Sequence, residues 1–150
     1  MKRFGMSFLA LLLMAGAAFA APAPSGFDAV LGHYEAVRQV LLKDTVAGIP
    51  AHAQAIGKLA KSAPAGLAPQ IAAAASRLAA ARDLTAARNA FYELSKPMVR
   101  WREASGSIGG RSHVVAYCTM SRRSWLQPKG EIGNPYYGKS MARCGEVVSK

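Results

Sequence analysis

Leu84-Thr85-Ala86-Ala87-Arg88-Asn89-Ala90-Phe91-Tyr92-Glu93-Leu94-Ser95-Lys96-Pro97-Met98-Val99-Arg100-Trp101 is the stretch on which the fold turns. Leu84, Ala87, Phe91, Leu94, Met98 and Trp101 recur every three or four residues, so a helix starting near Asp83 lines them up on one face. Pro97 sits inside that pattern. It removes one helical hydrogen bond and crowds the turn before it, which predicts a kink or an early end.

Upstream, the same period repeats three times. Phe27, Val30, Leu31, Tyr34, Val37 and Leu41 define a helix over about 27–46, with Ser25 or Gly26 near its cap and Asp28 at its positive end. Gly48 and Pro50 are read as its stop. A second helix is predicted over about 51–62, with Ile56 and Leu59 inward and Lys58 and Lys61 outward. Beyond the Pro64-Ala65-Gly66 break, a third over about 67–81 turns Leu67, Ile71, Ala74, Leu78 and Ala81 inward. Four helices with short connections predict an antiparallel bundle over residues 26–104.

Downstream of Ser105 the composition changes. His113 to Cys118 alternates like a short strand, and Ser124 to Gln127 forms a second candidate. Pro128-Lys129-Gly130 and Asn134-Pro135-Tyr136-Tyr137-Gly138 are turn sequences. The predicted fold is therefore mainly α: a four-helix bundle with a small irregular C-terminal tail (105–150) containing short strands. Bundle and tail form a single domain over 26–150.

The first twenty residues read as a signal peptide. Lys2 and Arg3 supply the positive end, Phe8 to Phe19 the apolar run, and Ala18-Phe19-Ala20 a small-x-small cleavage site. The apolar run is short for a bilayer span and ends in small residues and prolines. Residues 21–25 then serve as a linker, and the product is expected to be periplasmic or secreted. The formal net charge of +11 falls by two with Lys2 and Arg3. No block of five like charges occurs, so the basic surface is read as a solubilising one. Nucleic acid is not an expected partner, and contact with an anionic membrane surface is a minor reading.

No catalytic motif is present: there is no phosphate-binding glycine loop, zinc-protease helix or nucleophile elbow. The chain is read as a non-enzyme. His33, His52 and His113 lie far apart in sequence and are read as ordinary surface or partly packed residues.

The sulfurs are distributed differently. Past the signal, the methionines are Met98, Met120 and Met141, and two of these adjoin the cysteines. Cys118-Thr119-Met120 sets thiol and thioether two residues apart, on one side of an extended chain. Met141-Ala142-Arg143-Cys144 sets them three apart, together on a helical turn. Thiolate and thioether donors select soft ions such as cuprous copper or silver. In an oxidising compartment the same two cysteines are by default a Cys118–Cys144 disulfide.

Tyr117-Cys118-Thr119-Met120, Trp125-Leu126, Glu131 to Gly138, Met141 and Cys144-Gly145-Glu146-Val147 resemble a family of exported domains of unknown function. That family carries Cys-Pro-Met, Trp-Leu, Asn-Pro-Tyr-x-Gly and Met-x-x-Cys-Gly-Glu. Arg88 to Ser95 resembles its Arg-x-x-Phe-x-x-Leu-Ser helix. Its members occur alone or fused to periplasmic adaptor (membrane fusion) proteins of copper and silver efflux systems. Thr119 departs from the family's proline while keeping both sulfurs. The resemblance implies a soft-metal binding protein with cuprous copper as its ion, an efflux adaptor as partner, and Cys118, Met120, Met141 and Cys144 as candidate ligands. The alternative is a disulfide-stapled, non-catalytic interaction module associated with such a system. Trp125, Tyr136 and Tyr137 are read as plugs between tail and bundle, and Asn134, Pro135 and Gly138 as the turn that returns Met141 and Cys144 toward Cys118.

Overall fold

The Ser25 hydroxyl accepts the Asp28 N–H at 3.2 Å and opens the first helix, α1 (Gly26–Leu42). The computed structural model describes residues 25–149, so the predicted signal peptide and all of the predicted linker except Ser25 lie outside the described residues. α1 buries Phe27, Val30, Leu31, Tyr34, Val37 and Leu41, the predicted stripe. It ends four residues earlier than predicted because Asp44 turns the chain with a left-handed φ of 55°.

α2 (Ile49–Leu59) follows, continued by a 3-10 turn over Ala60–Ser62. Pro50, read as a stop for the first helix, instead lies in the opening turn of α2, where its missing N–H has no helical partner to lose. α3 (Ala68–Ala80) buries Ile71, Ala74, Ala75 and Leu78. α4 (Leu84–Ser105) starts from Asp83, whose carboxylate accepts the Ala86 N–H at 2.8 Å. It runs through Pro97 as one continuous helix rather than ending there, with Phe91, Leu94 and Met98 wholly buried. α2 packs between α1 and α3, and α3 packs on α4.

The fold class differs from the prediction. Among the described residues there are five helices and a three-stranded antiparallel sheet, so the domain is mixed α/β and largely helical, not a four-helix bundle with an irregular tail. A short fifth helix, α5 (Ile108–Ser112), leads directly into β1 (His113–Cys118). β2 (Arg123–Pro128) pairs antiparallel along all of β1, from His113 opposite Pro128 to Cys118 opposite Arg123. β3 (Glu146–Ser149) pairs with the other edge of β1, across an irregularity at Val115 and Ala116. β1 is thus the central strand, and Val114, Val115, Ala116 and Cys118 are all buried there.

The sheet is part of the core rather than an appendage. β2 lies against α4, with Trp125 and Leu126 fully buried. Phe91 stacks on Tyr34 with ring centroids 4.6 Å apart, and the Trp125 and Tyr136 rings meet edge to face at 5.8 Å. Two arginines that a charge count assigns to the solvated surface are buried and bind the tail. Arg38 donates to Gly133 O at 2.7 Å, and Arg102 donates to Gly110 O at 3.0 Å and to Ser149 Oγ at 3.3 Å.

Candidate functional site

The segment after β2 determines where the second cysteine lies. Asn134 is completely buried, and its side chain bridges two stretches of backbone. Its Oδ1 accepts the Tyr136 N–H at 2.8 Å, its Nδ2 donates to Cys144 O at 2.8 Å, and its own N–H donates to Ala142 O at 2.7 Å. Arg88 on α4 supports the same loop, donating to Pro135 O at 3.0 Å and pairing with Asp44 at 2.6 Å. Gly138 is left-handed at φ 54°, and a Cβ there would strike the Asp44 carboxylate. Gly145, at φ 139°, lies so close to Trp125 that a Cβ would fall 2.9 Å from the indole. These constraints hold the backbone on both sides of Cys144.

The result is that Cys118, at the end of β1, and Cys144, before β3, meet with their sulfurs 2.7 Å apart. Cys118 is buried and Cys144 is half-buried, and the structure holds them as two free thiols. Burial works against ionising Cys118. It is outweighed by the Cys144 thiol and by the N–H groups of Ser121 and Met120, so the Cys118 pKa lies below the usual thiol value. Cys144 is pushed the other way, first by its hydrogen bond to Cys118, then by burial and by the charge on Cys118. In the reduced pair Cys118 is thus the more readily ionised of the two sulfurs.

The two methionines are placed differently. Met120 is 64 % exposed, beyond the end of β1, and Met141 is half-buried, its carbonyl accepting the Cys144 N–H at 3.0 Å. Met98 is sealed in the helical core. Among the described residues no group of three or more His, Cys, Asp or Glu side chains could hold a metal ion, so no imidazole or carboxylate completes the cysteine pair. A borderline ion such as zinc, which takes four ligands, is poorly served by two thiols alone, whereas a soft ion accepts fewer, sulfur-only donors. Two thiolates sharing one tetrahedral ion would stand about 3.8 Å apart, so the sulfurs would have to part by about 1 Å to admit it. A disulfide would need them at about 2.05 Å.

Ser121 also lines a polar depression of about 310 Å³ with Thr85, Arg88, Asn89, Arg123 and Tyr136. Arg123 lies over the rings of Tyr92 and Tyr136, at 5.2 and 5.3 Å, and donates to Asn89. Sequence reasoning did not anticipate this arginine-lined edge beside the sulfur pair. It also missed that His33 and His52, read as separate ordinary residues, face each other across α1 and α2.

The chain matches no protein-family model, no curated protein and no solved structure. Among the described residues no helix is long and apolar enough to cross a membrane.

Proposed function

We propose that this chain is an envelope binding protein for a soft monovalent ion, cuprous copper or silver, held by Cys118 and Cys144. It would exchange that ion with a periplasmic efflux adaptor, a role of binding and transfer without catalysis. The observation that supports this reading is the convergence of the two cysteines, 26 residues apart, at a position half-open to solvent on the Cys144 side. Cys118, the more readily ionised of the pair, would supply charge and softness, and the thioethers of Met120 and Met141 are the candidate donors for receiving or releasing an ion by ligand exchange.

The 2.7 Å sulfur separation favours a second reading, in which the pair closes as a disulfide and the chain is a stapled interaction module. Intact mass of the exported protein under native conditions, with and without cuprous ion, separates the two. Metal binding requires two free thiols and one added ion per chain. Cys118→Ser and Cys144→Ser should each abolish tight uptake, while Met120→Leu and Met141→Leu should weaken it less, since a neutral donor is lost with little change in volume. A mass two hydrogens light, with no copper taken up even after reduction, would establish the stapled module instead.

A further inference from the structure

A second cluster of metal-ligating side chains lies in the helical layer. His33 on α1 and His52 on α2 are 19 residues apart in sequence, yet their Nδ1 atoms are 3.1 Å apart. Their ring centroids are 5.4 Å apart and the rings are inclined at 48°. Both side chains are half-buried, so the pair is held by helix packing on one side and reached by solvent on the other. None of the residues three or four places away on either helix is charged, so no lysine or arginine one turn away repels a cation and no carboxylate competes for the rings.

We propose that His33 and His52 form a two-imidazole site for a borderline divalent transition ion, with cupric copper the strongest binder and zinc or nickel weaker. The spacing fits such an ion. Two nitrogens each about 2.0–2.1 Å from one metal stand about 2.9 Å apart at a right angle and about 3.4 Å apart at the tetrahedral angle. The observed 3.1 Å lies between those limits. Without metal, one ring donates its Nδ1–H to the other. Metal binding requires that ring to carry its proton on Nε2 instead, a change of tautomer with no net loss of a proton, after which both Nδ1 lone pairs converge. Water fills the remaining positions on the exposed side. The site is independent of the sulfur pair and selects a different class of ion, imidazole for the divalent form and thiolate for the monovalent one.

The test uses the exported chain carrying Cys118→Ser and Cys144→Ser, so that failure of the sulfur reading cannot influence the result. Titration with cupric ion should give one equivalent whose electron paramagnetic resonance spectrum shows coordination by imidazole nitrogen. It should also raise the melting temperature, as any ligand of the folded state does. His33→Gln and His52→Gln should each weaken binding at least about tenfold, since loss of even an outer partner at a metal site costs that much. Both should also remove the melting shift, while His113→Gln should leave both readouts unchanged. Should a histidine variant fail to fold, the other one carries the comparison, and zinc-induced perturbation of the imidazole resonances of the unsubstituted histidines provides a second readout. The proposal is overturned if no cupric equivalent binds, or if the equivalent survives in both glutamine variants.

Discussion

The hydroxyls of Tyr34 and Ser95 lie 2.7 Å apart at a point where neither side chain has meaningful access to water. Around them, Tyr34 accepts the Leu126 N–H at 3.1 Å, Ser95 donates to Phe91 O at 2.8 Å, and the Tyr136 hydroxyl reaches Ser124 O at 2.7 Å. This chain of hydroxyls joins α1 and α4 to β2 and to the loop that carries Asn134. Burial pushes the Tyr34 phenol well above its ordinary value, so it stays a neutral donor and acceptor across the physiological range.

Tyr34→Phe should therefore destabilise the protein out of proportion to the single atom removed. It strands the Leu126 N–H in the core, and an unpaired buried group costs about 1–3 kcal/mol. Ser95→Ala should cost less than the sum suggests when combined with it, because the two substitutions break the same bond. Urea unfolding of both single variants and the double variant checks this; strict additivity would contradict the shared network.

Asn134→Ala should act on the sulfur site from a distance. The substitution leaves the Cys144 carbonyl and the Tyr136 N–H without their partner, at about 1–3 kcal/mol for each group. The segment carrying Cys144 should loosen, so both thiols of the reduced protein should alkylate faster than in the wild type. An unchanged alkylation rate would mean that Cys144 is held by its N–H bond to Met141 O and by the pairing of β3 that follows it.

Acid should weaken the clamp by which Asp44, just past α1, holds Arg88 on α4 and the Lys139 N–H. The Arg88 hydrogen bond, aided by the Lys139 N–H, holds the Asp44 carboxyl below its ordinary value of 3.8 despite partial burial. A carboxyl with a depressed folded pKa contributes stability that is fully present above the unfolded value. That contribution disappears as pH falls through the folded one. Melting temperature should thus drop more steeply below about pH 4 in the wild type than in Asp44→Asn. Asparagine tolerates the left-handed φ of 55° at this position, so the comparison isolates the charge.

In the reduced protein the two cysteines should titrate in separate steps, one below and one above the ordinary thiol range. Thiolate absorbance against pH reads both steps. Cys144→Ala should leave Cys118 as the only thiol with no donor at position 144, and its single step should move upward if Cys144 is the donor that favours ionised Cys118. A Cys118 step that does not move would assign the stabilisation to Ser121 and the backbone instead.

The sequence was most readable where burial follows a regular period. The stripes of α1, α3 and α4 could be read directly, because each is a run whose inward residues contact one surface; β1 could be read as a strand, but as the central strand it buries Val114, Val115 and Ala116 in succession rather than in alternation. β3 was invisible: Glu146, Val147 and Val148 are exposed, so nothing in their order marks a strand until β1 offers an edge. α5 was hidden by Gly109 and Gly110, poor helix formers that are held by the Ser107 cap and by the Asp28 carboxylate accepting the Gly109 N–H at 2.9 Å. The cysteine pair could be named as candidates, but that they meet depends on Asn134 and Gly145, whose partners lie in other segments. The His33–His52 contact had no local signal, since each residue reads as an isolated polar position on its own helix.

The hydrogen bonds that tie α1 to the rest of the chain are long in sequence. Asp28 waits for Gly109, 81 residues on; Tyr34 waits for Leu126, 92 residues on; Arg38 and Asp44 wait for Gly133 and Lys139, each 95 residues on. A chain emerging from its amino-terminal side could pair Arg38 with Glu35 and Asp28 with Ser25 at once, but would complete none of these long-range bonds until most of the remainder had followed. Closing such large loops is entropically slow, and it makes folding of this small domain depend on its last third. The sulfurs would then come together only as folding finishes, so an ion or oxidant arriving early would find two separate cysteines rather than a site.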